Sequence, residues 1–251
     1  MKKLALFALS SIATAAMAIT PAPTSPGSIT IAPGATSNQT ASITGTLVSN
    51  KSNMLNTALQ NVASNSGTIM IKGLSDQRAT TEGGSLTNEA VSIGDFANQN
   101  VSSNAGNVEV GSGAHSYQNT NLLRSNVTNT ANGGGGFLGG AATALQNLAS
   151  NNGDGIKIYG YSNQFVGATD SGVTNTANGT GALATQNLSS NFGHVMVAGA
   201  STQATYLNRA TVTNLANGAF SHAAQNIASN DTCNEPRDPC PNGQCRTGWD
   251  N

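Results

Sequence analysis

ATQNLSSNFGHVMVAGASTQ, residues 184–203, offers little to chemistry: one histidine, no acid and no cysteine. Its information lies in its order. Asn187, Ser189, Asn191, Gly193, Val195, Val197, Gly199, Ser201 and Gln203 share one parity, so in an extended chain they share one face. Period-2 order that mixes Val with Asn and Gln reads as strand, with amides held at fixed positions. The same set stands at 61–77, as Asn61, Ala63, Asn65, Gly67, Ile69, Ile71, Gly73, Ser75 and Gln77.

The phrase recurs. A-x-Q-N-V/L/I-A/S-S-N occurs at 58–65, 97–104, 144–151, 184–191 and 223–230, with glutamines at Gln60, Gln99, Gln146, Gln186 and Gln225. The period is about 40 residues, the length of one supersecondary unit. The interval from Gln99 to Gln146 is longer, owing to the Gly-rich insertion GGGGFLGGAAT at 133–143 and a short lengthening near residue 112. A second phrase, G-x-V/I-x-V/I followed by S-x-Q, comes after the first four copies and ends at Gln77, Gln118, Gln164 and Gln203. An unpaired copy opens the series at 27–39, with Ile29, Ile31, Ser37 and Gln39. A third phrase, V-T-N-x-A-N-G, stands at 127–133, 173–179 and 212–218, with weaker forms at 48–54 and 86–92. Convincing helical periodicity is absent, and the Asn-Gly and Gly-rich sites between phrases supply corners.

These features predict an all-β repeat solenoid of stacked cross-β layers, about five repeats over residues 27–230, with flexible ends. If each repeat forms one layer about 4.8 Å from the next, equivalent residues lie over one another. Asn61, Asn100, Asn147, Asn187 and Asn226 are then expected to form a ladder, each side-chain amide donating to the next. The Ser-x-Gln positions, Gln77, Gln118, Gln164 and Gln203, are expected to form a second. The Val/Ile pairs stack as a thin apolar seam.

Composition agrees. Charged residues are 8% of the chain, against about 25% in typical soluble domains. A like charge repeated at every layer would repel itself in a poor dielectric. Aromatics are 4% and the net charge is −1, so neither a conventional large core nor a basic nucleic-acid surface is expected.

The ends differ from the repeats. MKKLALFALSSIATAAMA has Lys2 and Lys3, an apolar run and Ala16-Met17-Ala18, the pattern of a bacterial secretory signal peptide cleaved after Ala18. Its apolar run is too short to span a bilayer, and no later segment is long enough. Residues 19–26 read as a flexible leader, and 231–251 as a short tail that carries Cys233, Cys240 and Cys245. In an exported chain Cys240 and Cys245 could close a small disulfide, leaving Cys233 as a free thiol or an intermolecular link. Three cysteines without a nearby histidine make an incomplete metal set.

Catalytic constellations are not evident. His115, His194 and His222 lie at unrelated repeat positions, and Asp76, Glu82, Glu89, Asp95, Glu109, Asp154 and Asp170 show no repeated pair. The Gly-rich 132–140 lacks the Lys-Ser/Thr of a phosphate loop. The chain is therefore expected not to be an enzyme and to carry no cofactor or metal.

Over about residues 27–230 the sequence resembles the Fap-type functional amyloid subunits of pseudomonads, through its N-x-A-S-N-x-G-x-V-x-V repeats followed by a Gln-centred phrase. It is also similar to curli subunits in its Gln/Asn positions, though those repeats are about half as long. The paired cysteines of the Fap family are closer together than Cys240 and Cys245, and its loops between repeats are usually longer. The resemblance implies one β-solenoid layer per repeat, subunits stacked end to end into extracellular biofilm fibres, a related nucleating subunit and an outer-membrane secretion apparatus. The alternative on the residues alone is a monomeric surface adhesin, a binding β-helix whose flat side with repeated T-x-N grips glycan, ice or another cell.

Overall fold

The computed structural model describes residues 27–231 except 54–55, 92–94, 134–141, 154, 180, 194 and 219. The signal-peptide and leader assignments, the cysteine tail beyond Asp231, and His194 lie outside the described residues. Within them the chain is all β, with strands numbered β1–β25 in chain order. None of their structure is a helix long and apolar enough to cross a membrane.

Each repeat makes one turn of a solenoid, and each turn has five strands. The third turn runs β11 (Val108–Val110), β12 (His115–Leu123), β13 (Asn126–Asn132), β14 (Ala144–Leu148) and β15 (Asn151–Asn152). Corresponding strands of successive turns pair in parallel, giving five five-stranded sheets, here A to E in the order their strands occur within a turn. Register is residue for residue: Gln118 lies over Gln77 and under Gln164, and Asn147 between Asn100 and Asn187. The Gly-rich insertion falls between β13 and β14 in the sequence, and the strands on either side of it keep their register.

Three apolar clusters fill the interior, each set by side-chain size. Alanine lines the convergence of sheets C and D, with Ala90, Ala131 and Ala177 facing Ala97, Ala144 and Ala184. Where the sheets diverge, larger groups such as Val127, Leu148, Val166 and Val173 take over. Sheet A keeps a separate Ile/Val cluster that includes Ile69, Ile71, Val108, Val110, Ile156 and Ile158. Neighbours on a strand point to opposite faces, yet Gln146 and Asn147 are both fully buried, so sheet D is covered on both sides.

The single face expected for residues 187–203 is broken by corners. Ser189 (φ 49°) and Gly193 (φ 77°) are left-handed, and the equivalents of Ser189, namely Ala63, Ser102, Ala149 and Ala228, share its conformation. An L-residue here is strained by about 1 kcal/mol or more, and the corner takes only Ala or Ser because Ser102, Ala149 and Ser189 are fully buried there. Glycine serves a different corner. Gly67 and Gly106 have φ of 125° and 120°, and a Cβ on Gly106 would sit 2.1 Å from the Gly67 carbonyl oxygen. The backbones stack there with no room for any side chain.

Charges follow the stacking rule by alternating sign. At the corner between sheets B and C, Arg124 pairs with Glu82 of the preceding turn, and Arg209 pairs with Asp170. Lys51 meets Glu89 in the same way on sheet C.

Gly106→Val is expected to lower stability by more than about 3 kcal/mol, because it combines a disfavoured φ with a backbone clash. Urea unfolding of the chain lacking residues 1–18 measures it. A midpoint equal to the parent's would show that the turns do not pack as described.

Candidate functional site: amide ladders between turns

The phrase QNLASN at 146–151 assigns each residue its own place. Gln146 donates from Nε2 to Oε1 of Gln99 at 2.9 Å and accepts from Gln186 at 2.6 Å. Gln60 and Gln225 extend this column to the first and fifth turns. Asn147 faces the other way, donating to Asn100 and accepting from Asn187, both at 2.8 Å. Asn61 and Asn226 continue that column at 2.9 Å. Leu148 enters the core, and Ala149 turns the corner. Ser150 donates its N–H to Oγ of Ser103 and its own hydroxyl to the carbonyls of Leu148 and Asn187. Asn151 accepts from Asn104 at 2.9 Å and donates to Asn191 at 2.8 Å, in a column that runs from Asn65 to Asn230.

The V-T-N phrase supplies a fourth ladder. Asn50 donates to Asn88, Asn88 to Asn129, Asn129 to Asn175 and Asn175 to Asn214, at 2.7–2.8 Å. These asparagines also reach sheet D, as Asn129 does at the Leu145 carbonyl. Gln146 reaches back from sheet D to the Thr174 carbonyl on sheet C. The ladders therefore bind turn to turn and sheet to sheet at once.

The Ser-x-Gln column departs from expectation. Gln77, Gln118, Gln164 and Gln203 stack in register but do not bond to one another. Each donates instead across the interior to an asparagine of its own turn: Gln77 to Asn104 at 3.0 Å, Gln118 to Asn151 at 2.8 Å, Gln164 to Asn191 and Gln203 to Asn230 at 2.7 Å. Sheet E faces sheet B closely enough for a glutamine to reach its asparagine Oδ1, and that acceptor is already aligned by its own ladder. The column therefore braces two sheets, and the axial ladder at this place is carried by Asn65, Asn104, Asn151, Asn191 and Asn230. Spacing alone could not reveal this; the signal was the asparagine closing every copy of the first phrase.

The four ladders have direction. In the Gln60 and Asn61 columns every amide donates toward the preceding turn, and in the Asn65 and Asn50 columns toward the following one. Amides suit this arrangement because each carries both donor and acceptor, so an identical neighbour always completes it. Such groups neither transfer protons nor attack substrates. What the arrangement does is fix register. Among the titratable groups, His115 lies half-buried between the rings of Tyr117 and Tyr161, and His222 is exposed. Cys233, Cys240 and Cys245, with the expected Cys240–Cys245 disulfide, lie outside the described residues.

No protein-family model matches the chain, and neither does any curated protein or solved structure.

Asn147→Leu leaves the Asn100 acceptor and the Asn187 donor unpaired in a dry interior, at an expected loss of about 2–5 kcal/mol. Asn61→Leu, at the open end, leaves only the Asn100 donor unpaired and is expected to lose half as much, roughly 1–3 kcal/mol. Equal losses in urea unfolding would mean that the ladder does not hold the turns. On the surface, the guanidinium of Arg209 hydrogen-bonds Asp170 and holds its carboxyl below the usual carboxylate range. That stabilisation is present at neutral pH and disappears as the pH falls through the lowered pKa. NMR titration of Asp170 is expected to show a depressed midpoint that returns toward normal in Arg209→Ala.

Proposed function

We propose that this protein is an exported structural subunit that polymerises end to end into extracellular amyloid-like fibres of the bacterial surface and biofilm matrix. The observation that carries this reading is the complementarity of the two ends of the solenoid. The first turn, from β1 (Ser28–Ile31) to β5 (Asn65–Ser66), and the fifth, from β21 (Met196–Val197) to β25 (Asn230–Asp231), are the edge strands of all five sheets.

Ladder direction makes the ends complementary. On the fifth turn Asn226 Oδ1 and Gln225 Oε1 accept nothing among the described residues, whereas on the first turn Asn61 Nδ2 donates to nothing. In the opposite pair Asn230 Nδ2 donates to nothing and Asn50 Oδ1 accepts nothing among the described residues, while Asn214 Nδ2 serves the Ala184 and Ala224 carbonyls and Asn65 Oδ1 accepts from Gln39. A second copy set with its first turn on this fifth turn continues every ladder. First turn on first turn sets donor against donor.

The apolar columns stop in the open as well. Val197, Leu207 and Ile227 are 41%, 43% and 39% exposed, although Ile158, Ala168 and Leu188 directly below them are buried. Soluble proteins protect such edges with lysine, proline or bulges. The fifth-turn strands contain no lysine, arginine or proline. The sequence supports export through its signal-peptide pattern, and the resemblance to Fap-type subunits supports the matrix setting, a nucleating relative and an outer-membrane secretion apparatus as partners.

Chain lacking residues 1–18 is expected to form thioflavin-positive fibres with meridional diffraction near 4.8 Å. Leu207→Glu, which places a charge on the open end, is expected to stop elongation and leave a β-rich monomer. A parent chain that stays monomeric at high concentration would refute the reading.

A further inference from the structure

Aromatic side chains are scarce in this protein, and four of its eleven Phe, Tyr and Trp residues gather on one face. On the outer face of sheet B, the first two turns carry Thr, Ser, Asn, Leu74 and the Asp76–Arg78 pair. The last three, β12 with β17 (Tyr161–Thr169) and β22 (Ala200–Asn208), carry His115, Tyr117, Tyr161, Phe165 and Tyr206. The rings meet across turns. His115 and Tyr161 stack with centroids 4.9 Å apart and planes 8° from parallel, and Phe165 meets Tyr206 at 5.4 Å.

One glycine opens the second pair. A Cβ on Gly167 would lie 3.1 Å from the Phe165 ring, so the ring rests over the bare backbone at that point and is laid down on the sheet. Around the rings stand amides and hydroxyls: Asn119 bonded by Asn121 at 2.8 Å, with Asn163, Thr169, Thr202 and Asn208 beside them. Across these three strands the outward side chains include no Asp, Glu, Lys or Arg.

We propose that this face binds a neutral polysaccharide lying along the solenoid axis. A pyranose ring presents axial C–H bonds of partial positive charge, which the face of Phe165, laid over Gly167 beside Tyr206, attracts through its quadrupole, while His115 and Tyr161 cover one another's faces and offer their edges. Its equatorial hydroxyls need donors and acceptors at the rim, which the amides supply. The charges that border the face, Asp76 with Arg78, Glu82 with Arg124 and Asp170 with Arg209, are each neutralised in a pair, which matches an uncharged polymer better than nucleic acid or anionic lipid. The strand spacing of about 4.8 Å approximates the rise of one sugar ring in an extended chain, so successive turns present successive subsites. The face lies on the side of the solenoid, not at its ends, and so does not depend on end-to-end assembly.

Freshly prepared chain lacking residues 1–18 is incubated with insoluble cellulose, chitin and starch, and the bound fraction is read by depletion. Retention on at least one is expected. Phe165→Ala/Tyr206→Ala, two outward changes that leave the ladders untouched, is expected to bind about tenfold more weakly. Its urea midpoint and thioflavin kinetics stay those of the parent. Leu215→Ala on the outer face of sheet C is expected to bind as the parent does. Failure of the parent to bind any of the three overturns the proposal, as does equal retention of the double variant. Loss of side-by-side fibre bundling in the double variant, with no polysaccharide bound by the parent, would assign the face to a second copy and overturn it too.

Discussion

Every side chain at a ladder position in this protein must be content beside a copy of itself, whereas two inward columns of sheet B mix Ala79, Thr120 and Val166, and Thr81, Leu122 and Ala168. Residue-for-residue stacking at one strand spacing imposes that rule, and few side chains satisfy it. A buried carboxylate or ammonium repels its neighbour. In the four ladders an amide donates to one neighbour and accepts from the other, which removes the penalty of about 1–3 kcal/mol for an unsatisfied buried group; the Gln77, Gln118 and Gln164 oxygens, outside the ladders, stay unpartnered. Aliphatic groups stack without conflict. The buried residues are accordingly mostly Asn, Gln, Ser, Thr, Ala and branched aliphatics, with Asp95 the one carboxylate among the described ones, and the low charge of the chain follows from its geometry.

The same rule explains specificity. Slipping one turn past another by one residue would turn every amide column to the opposite face and leave buried donors without acceptors. The ladders thus act as register pins in a fold whose parallel strands would otherwise resemble one another closely. Two columns donating forward and two donating backward give the solenoid chemically distinct ends while partly cancelling the amide dipoles along its length.

Much of this was legible in the sequence. The period gave one turn per repeat, and the parity gave the strands with their all-β class. The Asn147 column needs nothing beyond register, because a residue at one place in every turn must lie over itself. Other features depended on how the sheets face one another, which spacing does not encode. The glutamine of Ser-x-Gln finds its partner across the interior, in a sheet whose strands are only two residues long. The left-handed corner at Ala149 was hidden because it uses alanine and serine, where an invariably placed glycine would have announced it. Sheet D being buried on both faces was hidden too, since Gln146 and Asn147 are both polar and read as one inward and one outward residue.

A stack of like layers also has no internal reason to stop. In a linear array each turn contacts only its neighbours, so stability is a sum of nearly equal interface terms. The contact between one copy's fifth turn and another's first would involve the same five strand pairings and four ladders as any contact inside the chain. The difference is the translational and rotational freedom lost once per copy, some 4–15 kcal/mol, set against an interface as extensive as an internal one. Outward positions are bound less tightly by the self-matching rule, though Thr87, Thr128, Thr174 and Thr213 still repeat. On sheet B the turns diverge most: an Asp76–Arg78 pair in the second, Tyr117 and His115 in the third, Phe165 over a bare glycine in the fourth. The inside of this protein is constrained to repeat. Its outside is free to recognise.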